Sequence, residues 1–140
     1  MKLEKVLVPV DGSDYSTRAA EYAADLAKTL GAQIVLMHCH KPFPISLGEP
    51  FFQKAINKVM DKSNRVLDPF RKRFEEKRVR FTDKILEGPA KEAIINIANI
   101  EKVDLIVMGS RGLSDLEGLV LGSVTHRILR SAPCPVLVIR

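Results

Sequence analysis

Two glycines three residues apart, nine intervening residues, then Gly-Ser: this spacing lies in Val107–Thr125, VMGSRGLSDLEGLVLGSVT, where the chain's best candidates for chemistry are concentrated. Most of that chemistry would belong to the backbone. Gly109 and Gly112 follow the apolar run Asp104–Met108, which predicts a fully buried strand. Glycine after a strand lets the chain turn sharply and approach a ligand where a β-carbon would intrude. Gly122-Ser123 then opens a predicted helix over Val124–Ser131. The first amides of a helix have no partner within it and carry partial positive charge, so they form a site for an anion, most often phosphate. Ser123 and Thr125 can add hydroxyl donors to the same oxygens. The pattern predicts a loop that holds the ribose and phosphates of a nucleotide.

Other side chains offer narrower chemistry. Asp11 ends the first apolar run, and its oxygens suit a ribose hydroxyl; they equally suit a turn or helix cap before Gly12, and both roles can coexist. The Arg111 fork matches phosphate geometry, although a solvent-facing place on the loop fits it as well. His126 falls in the first turn of the last helix and is read as solvated. His38-Cys39-His40 resembles a metal triplet, but on a strand the two histidines face one way and the cysteine the other, so the three are read as ordinary strand-end residues. Neither Gly-x-x-x-x-Gly-Lys-Ser/Thr nor a Gly-x-Gly-x-x-Gly after the first strand is present. The loop also lacks a lysine over the phosphates and an acid and base aimed at water, so binding with slow hydrolysis or none is expected.

The elements that must position these residues follow from periodicity. Val6–Val10 is a short strand, uniformly apolar as in a sheet covered on both faces. Ser13 or Asp14 caps a helix with an apolar stripe at Ala19, Ala20, Ala23, Leu26, Ala27 and Leu30, which ends at Gly31. Ile34–Cys39 is the second strand, giving a strand-helix-strand unit with parallel strands. Lys41–Pro50, with Pro42, Pro44, Gly48 and Pro50, is a loop. A helical stripe from Phe52 to Phe74 contains Pro69, which predicts a kink or break near Asp68. Val79, Phe81 and Ile85 alternate with polar residues, as in an edge strand. Pro89 is expected at the first position of a helix that turns Ala93, Ile94, Ile97 and Ala98 inward. Val136–Ile139 is the last strand.

Strand character makes strands 1 and 4 central and strand 3 an edge. An α/β fold satisfies this: an open twisted five-stranded parallel sheet of order 3-2-1-4-5, Rossmann-like, with helices on both faces. Winding reverses between strands 1 and 4 and opens a crevice at their carboxyl ends, where Asp11 and the glycine loop converge. The last strand is apolar on both faces and would leave a bare edge, which pairing with a second copy would cover; shielding by local loops is the alternative, and the dimer is the better reading.

Residues 1–140 suffice for one domain with its own core. No apolar run is long enough to span a bilayer and no secretory signal is evident, so a cytoplasmic protein without a membrane is expected. Cys39 and Cys134 show no zinc or redox spacing. The net charge of +5 owes much to Lys54–Arg80, but Asp61, Asp68, Glu75 and Glu76 interrupt that run. A solvated helix face is the better reading than nucleic-acid binding.

Gly109-x2-Gly112-x9-Gly122-Ser123 resembles the nucleotide-binding signature of the universal stress protein family, in its ATP-binding branch. VLVPVDGSDYS, IVLMHCH, LEGPAKEAI and APCPVLVIR also resemble family segments in order, so the likeness spans essentially the whole chain. Gly118 lies outside the signature and is read as giving the loop freedom. Strand 1 ends in Val-Asp-Gly-Ser-Asp, unlike the Ser-Gly-Gly-x-Asp-Ser of related-fold ATP pyrophosphatases. The resemblance implies the same strand order, 3-2-1-4-5. It also implies ATP as ligand, able to bring Mg or Mn with its phosphates, and a homodimer through Val136–Ile139. It implies that Asp11 lies beside the adenosine and that the main chain at Cys39 reads the adenine edge. The candidate nucleotide-binding residues are thus Pro9, Val10, Asp11, Cys39, Met108, Gly109, Arg111, Gly112, Gly122, Ser123, Val124 and Thr125. The alternative is a dimeric interaction module of the same family that uses no nucleotide; the complete glycine signature argues against it.

Overall fold

The computed structural model describes residues 2–43, 46–113 and 115–140; Pro44 of the predicted loop and Ser114 of the glycine stretch lie outside them. Strands β1 (Lys5–Pro9), β2 (Gln33–His40), β3 (Phe81–Glu87), β4 (Leu105–Gly109) and β5 (Val136–Ile139) alternate with helices α1 (Asp14–Leu30), α2 (Phe51–Glu76), α3 (Ala90–Ile100) and α4 (Ser123–Ser131). The sheet runs β3-β2-β1-β4-β5 with every neighbouring pair parallel, the expected order, with β1 and β4 central and β3 at an edge.

Period-two alternation divides the core between the two faces of the sheet. Val6, Val8, Ile34, Leu36 and Val107 pack with the alanines of α1 and with Leu67, Phe70 and Phe74 of α2. Leu7, Val35, Met37, Ile106 and Met108 pack with Ile94, Ile97 and Ala98 of α3 and Ile128 of α4. The small residues at Ala19, Ala20, Ala23 and Ala27 are all buried and let α1 lie close to the sheet, whereas Leu30 in the last turn stays exposed.

Helix ends follow local chemistry. Ser13 caps α1, its hydroxyl accepting the Ser16 N–H, and Gly31 ends it at φ 69, a left-handed conformation that costs glycine no β-carbon clash. Two expectations shift. The helix α2 does not break at Asp68 but runs unbroken through Pro69. Pro69 lies on the exposed face, so the carbonyl one turn back can turn to water while Leu67, Phe70 and Phe74 hold the buried face. Pro89 is the residue before α3, with extended ψ 145, and the helix begins at Ala90. A fixed φ near −72 suits either place. Among the described residues, no helix is long and apolar enough to cross a membrane.

Candidate functional site

The carboxyl ends of β1 and β4 part on either side of a cavity of about 650 Å³, measured to its open mouth. Its walls come from four regions far apart in the chain: Pro9, Val10, Asp11 and Ser16; Met37 and Cys39; Ala90 and Ile94; Met108, Gly109, Arg111 and Gly112 together with Asp115, Val124 and Thr125. Ten of the twelve residues singled out from sequence line it. Gly122 and Ser123 face an adjoining hollow instead, bordered by Lys91, His126, Arg127 and Arg130.

One end of the cavity is apolar. Met37, Ile94 and Met108 are buried there, and the Cys39 thiol sits beside them. Burial lifts that thiol from 9.0 to about 11, because a thiolate would lose its hydration. His38 and His40 are each tied to backbone: their Nδ1 atoms lie 2.8 Å from the Val10 carbonyl and 2.7 Å from the Lys41 carbonyl. A carbonyl can only accept, so in both rings the proton belongs on Nδ1.

The other end is made of amides and carboxylates. Asp11 Oδ1 accepts the Ser13 N–H at 2.9 Å, and Oδ2 accepts the Leu113 N–H at 3.0 Å. The turn role weighed for this residue is therefore real, and the same carboxylate also tethers the glycine loop across a hundred residues of sequence. Burial opposes its ionisation, but the bonds from Ser13, Leu113 and Ser16 outweigh that and hold its pKa below 3.8. Since folding depresses this pKa, the Asp11 contribution to stability is present above 3.8 and is lost as pH falls through the lower folded value.

Each signature glycine lies against a specific neighbour. A β-carbon at Gly109 would lie 2.7 Å from Tyr15 Cβ, so this position serves the packing of α1 against β4. At Gly112 it would lie 2.5 Å from Asp11 Oδ2, and at Gly122 2.8 Å from Asp115 Cγ. In this structure, then, the space kept clear by these glycines is filled by the protein's own groups. Gly118 adopts φ 91, which a side chain would resist; its role is a defined turn rather than general freedom.

Asp115, which neither spacing nor periodicity marks, is the residue that sequence reasoning missed. Its Oδ2 accepts the Gly112 N–H at 2.6 Å. Only an acidic residue three positions after a glycine hints at it, a pattern common in ordinary turns. The Arg111 guanidinium stacks 4.5 Å above the Tyr15 ring and donates to its hydroxyl. The Thr125 hydroxyl donates to the Gly109 carbonyl at 2.8 Å, binding the start of α4 to the end of β4. Gly122 precedes α4 with no side-chain cap, so the amides of its first turn lack a capping oxygen from a side chain. Together these features form a polar shelf for an oxyanion beside an apolar slot that suits a flat ring.

Comparison with known proteins bears on this arrangement. A family model described as the universal stress protein family matches residues 2–140. A universal stress protein of Thermus aquaticus, from the QAH/OAS sulfhydrylase 3′ region, is 38% identical, covering 96% of this chain and 97% of its own. The solved structure of protein MJ0577 of Methanocaldococcus jannaschii superimposes with a TM-score of 0.88 at 29% identity, covering 99% and 96% of the two chains. A universal stress protein solved in complex with cAMP superimposes with a TM-score of 0.74 at 26% identity, covering 100% of this chain and 98% of that one.

Proposed function

The chain belongs to the universal stress protein family, and from that premise we propose that it binds an adenine nucleotide, ATP foremost, in the crevice between β1 and β4. The observation that carries this reading is the bond from the Gly112 amide to a carboxylate. The glycine loop already holds an oxyanion, and it does so beside the uncapped start of α4. The apolar slot at Met37, Cys39 and Met108 supplies a place for the base, and the relative solved with cAMP shows that this fold can hold an adenine nucleotide.

The protein acts as a nucleotide-dependent regulator in the cytoplasm rather than as an enzyme, with little or no hydrolysis. Of the carboxylates lining the cavity, Asp11 is engaged by two amides and Asp115 by one, while Arg111 is committed to Tyr15. Asp11, with both oxygens accepting amide hydrogens, is poorly placed as a general base, which supports slow hydrolysis or none. A Mg or Mn ion arriving with the phosphates would be held chiefly by phosphate oxygens, because among the described residues no group of three His, Cys, Asp or Glu is placed to hold a metal. β5 lies at the sheet edge with all four residues only half-buried, and antiparallel pairing with the same strand of a second copy would complete a homodimer.

A second reading, an interaction module that uses no nucleotide, draws on Leu113, Leu116, Leu119 and Val120, all exposed around the site. Mass spectrometry of the native purified protein and calorimetric titration with ATP separate the two. Co-purified or titratable adenine nucleotide is expected, with turnover far below the ~10 per second of a typical enzyme. Protein that purifies empty and takes up no adenine nucleotide would overturn the first reading and leave the second.

A further inference from the structure

The Asp115 carboxylate stands where the cavity meets the hollow in front of α4. It lines the cavity, accepts the Gly112 N–H, and abuts Gly122, whose own surface opens toward Lys91, His126, Arg127 and Arg130. An anionic chain running from the apolar slot toward the start of α4 therefore meets an anion already in place. A phosphate oxygen and this carboxylate are alternative acceptors for one amide, and two like charges in contact at that point repel.

We infer that Asp115 is a selectivity residue, an internal oxyanion that competes with the ligand's phosphates, so that the crevice discriminates among adenine nucleotides by how far their tails extend. The inference rests on the nucleotide-binding reading above. A tail that stops short of Gly112 leaves the carboxylate lodged. A tail that reaches Gly122 must expel it, giving up a charge-assisted hydrogen bond before making its own. The free and bound states then differ in the position of Asp115, and the bound state of a long-tailed nucleotide is the one in which the carboxylate has been driven out. The space it leaves is limited: Gly122 has φ −74, so its backbone would accept any residue, and only the room beside Asp115 keeps the position small.

The test compares the native full chain with Asp115→Ala and Asp115→Asn by calorimetric titration with AMP, ADP, ATP and inorganic pyrophosphate. Exchange of the Gly112 amide is followed by NMR without ligand. Removing the carboxylate should tighten ATP binding by about tenfold while AMP changes less than about twofold, the scale of one hydrogen bond to a charged group. The Gly112 amide should exchange faster in the alanine variant, and Asp115→Asn should fall between, since it keeps an acceptor without the charge. An unchanged ratio of ATP to AMP affinity with unchanged Gly112 exchange overturns the proposal and leaves nucleotide binding intact. A falling ratio overturns it too, by making Asp115 a ligand-holding group. Should none of the three proteins bind an adenine nucleotide while pyrophosphate binds Asp115→Ala more tightly than native protein, the nucleotide reading fails and the competition stands. No difference with pyrophosphate either would sink both.

Discussion

At its β2–α3 end the crevice is walled by side chains that the core has already fixed: Met37 is 0% exposed and Ile94 2%. At its loop end the walls are peptide amides and two carboxylates, and the adjoining Leu113, Leu116 and Val120 are 70%, 75% and 83% exposed. The first end is paid for by folding itself, because the atoms that shape it are the atoms that exclude water from the sheet. The second has few buried contacts to hold its shape and depends on Asp11, Asp115 and Thr125 for its bonds. On the proposed reading, a flat ring would enter a preformed slot, and a charged tail would meet a shelf whose groups must change partners. Recognition and response would then fall to opposite ends of one cavity.

That contrast can be broken most readily from the rigid end. Ile94→Ala removes a buried side chain shared by core and slot and should cost ~2–5 kcal/mol of stability in urea denaturation. A cost as small as that of a loop substitution would show that the slot is not fixed by the core. Next in size is Gly122→Val. Its backbone conformation suits valine, so the melting temperature should hold, but the branched side chain overlaps Asp115 and crowds the first amides of α4. ATP affinity should fall by about a hundredfold, a loss of ~2.7 kcal/mol. Unchanged affinity would remove the loop end from ligand binding.

The Cys39 thiol sharpens the picture of the slot. Raised from 9.0 to about 11, it should alkylate at pH 8 roughly a hundredfold more slowly than an ordinary thiol, because the thiolate is that much scarcer. Its rate should keep rising with pH through about 11, where an unperturbed thiol would level off near 9.0. Saturating nucleotide should slow it further. A rate that levels near 9.0 would mean that the slot is wet. The smallest effect is expected from Leu116→Ser, which should change stability by no more than ~0.5 kcal/mol, since that side chain covers little of the core. A larger loss would show that the loop is packed more firmly than its exposure indicates.

Chain chemistry alone settled most of the scaffold. Uniformly apolar β1 and β4 had to be central and the alternating Phe81–Glu87 stretch had to be an edge, because a strand's two faces are written in its period-two pattern. Ser13 and Gly31 marked the ends of α1 because capping is a local event, decided by the nearest few residues. The glycine spacing likewise pointed to an amide-lined loop. What each glycine makes room for was decided only in three dimensions: Tyr15 at Gly109, Asp11 at Gly112, Asp115 at Gly122. Pro69 tells the same story, since its local cost predicted a kink or break, and the packing of Leu67, Phe70 and Phe74 carried α2 through without a break. Asp115 belongs wholly to the tertiary structure. An aspartate in a turn has no signature of its own, and only the folding of the loop back on Gly112 and Gly122 puts its charge on the Gly112 amide and against Gly122.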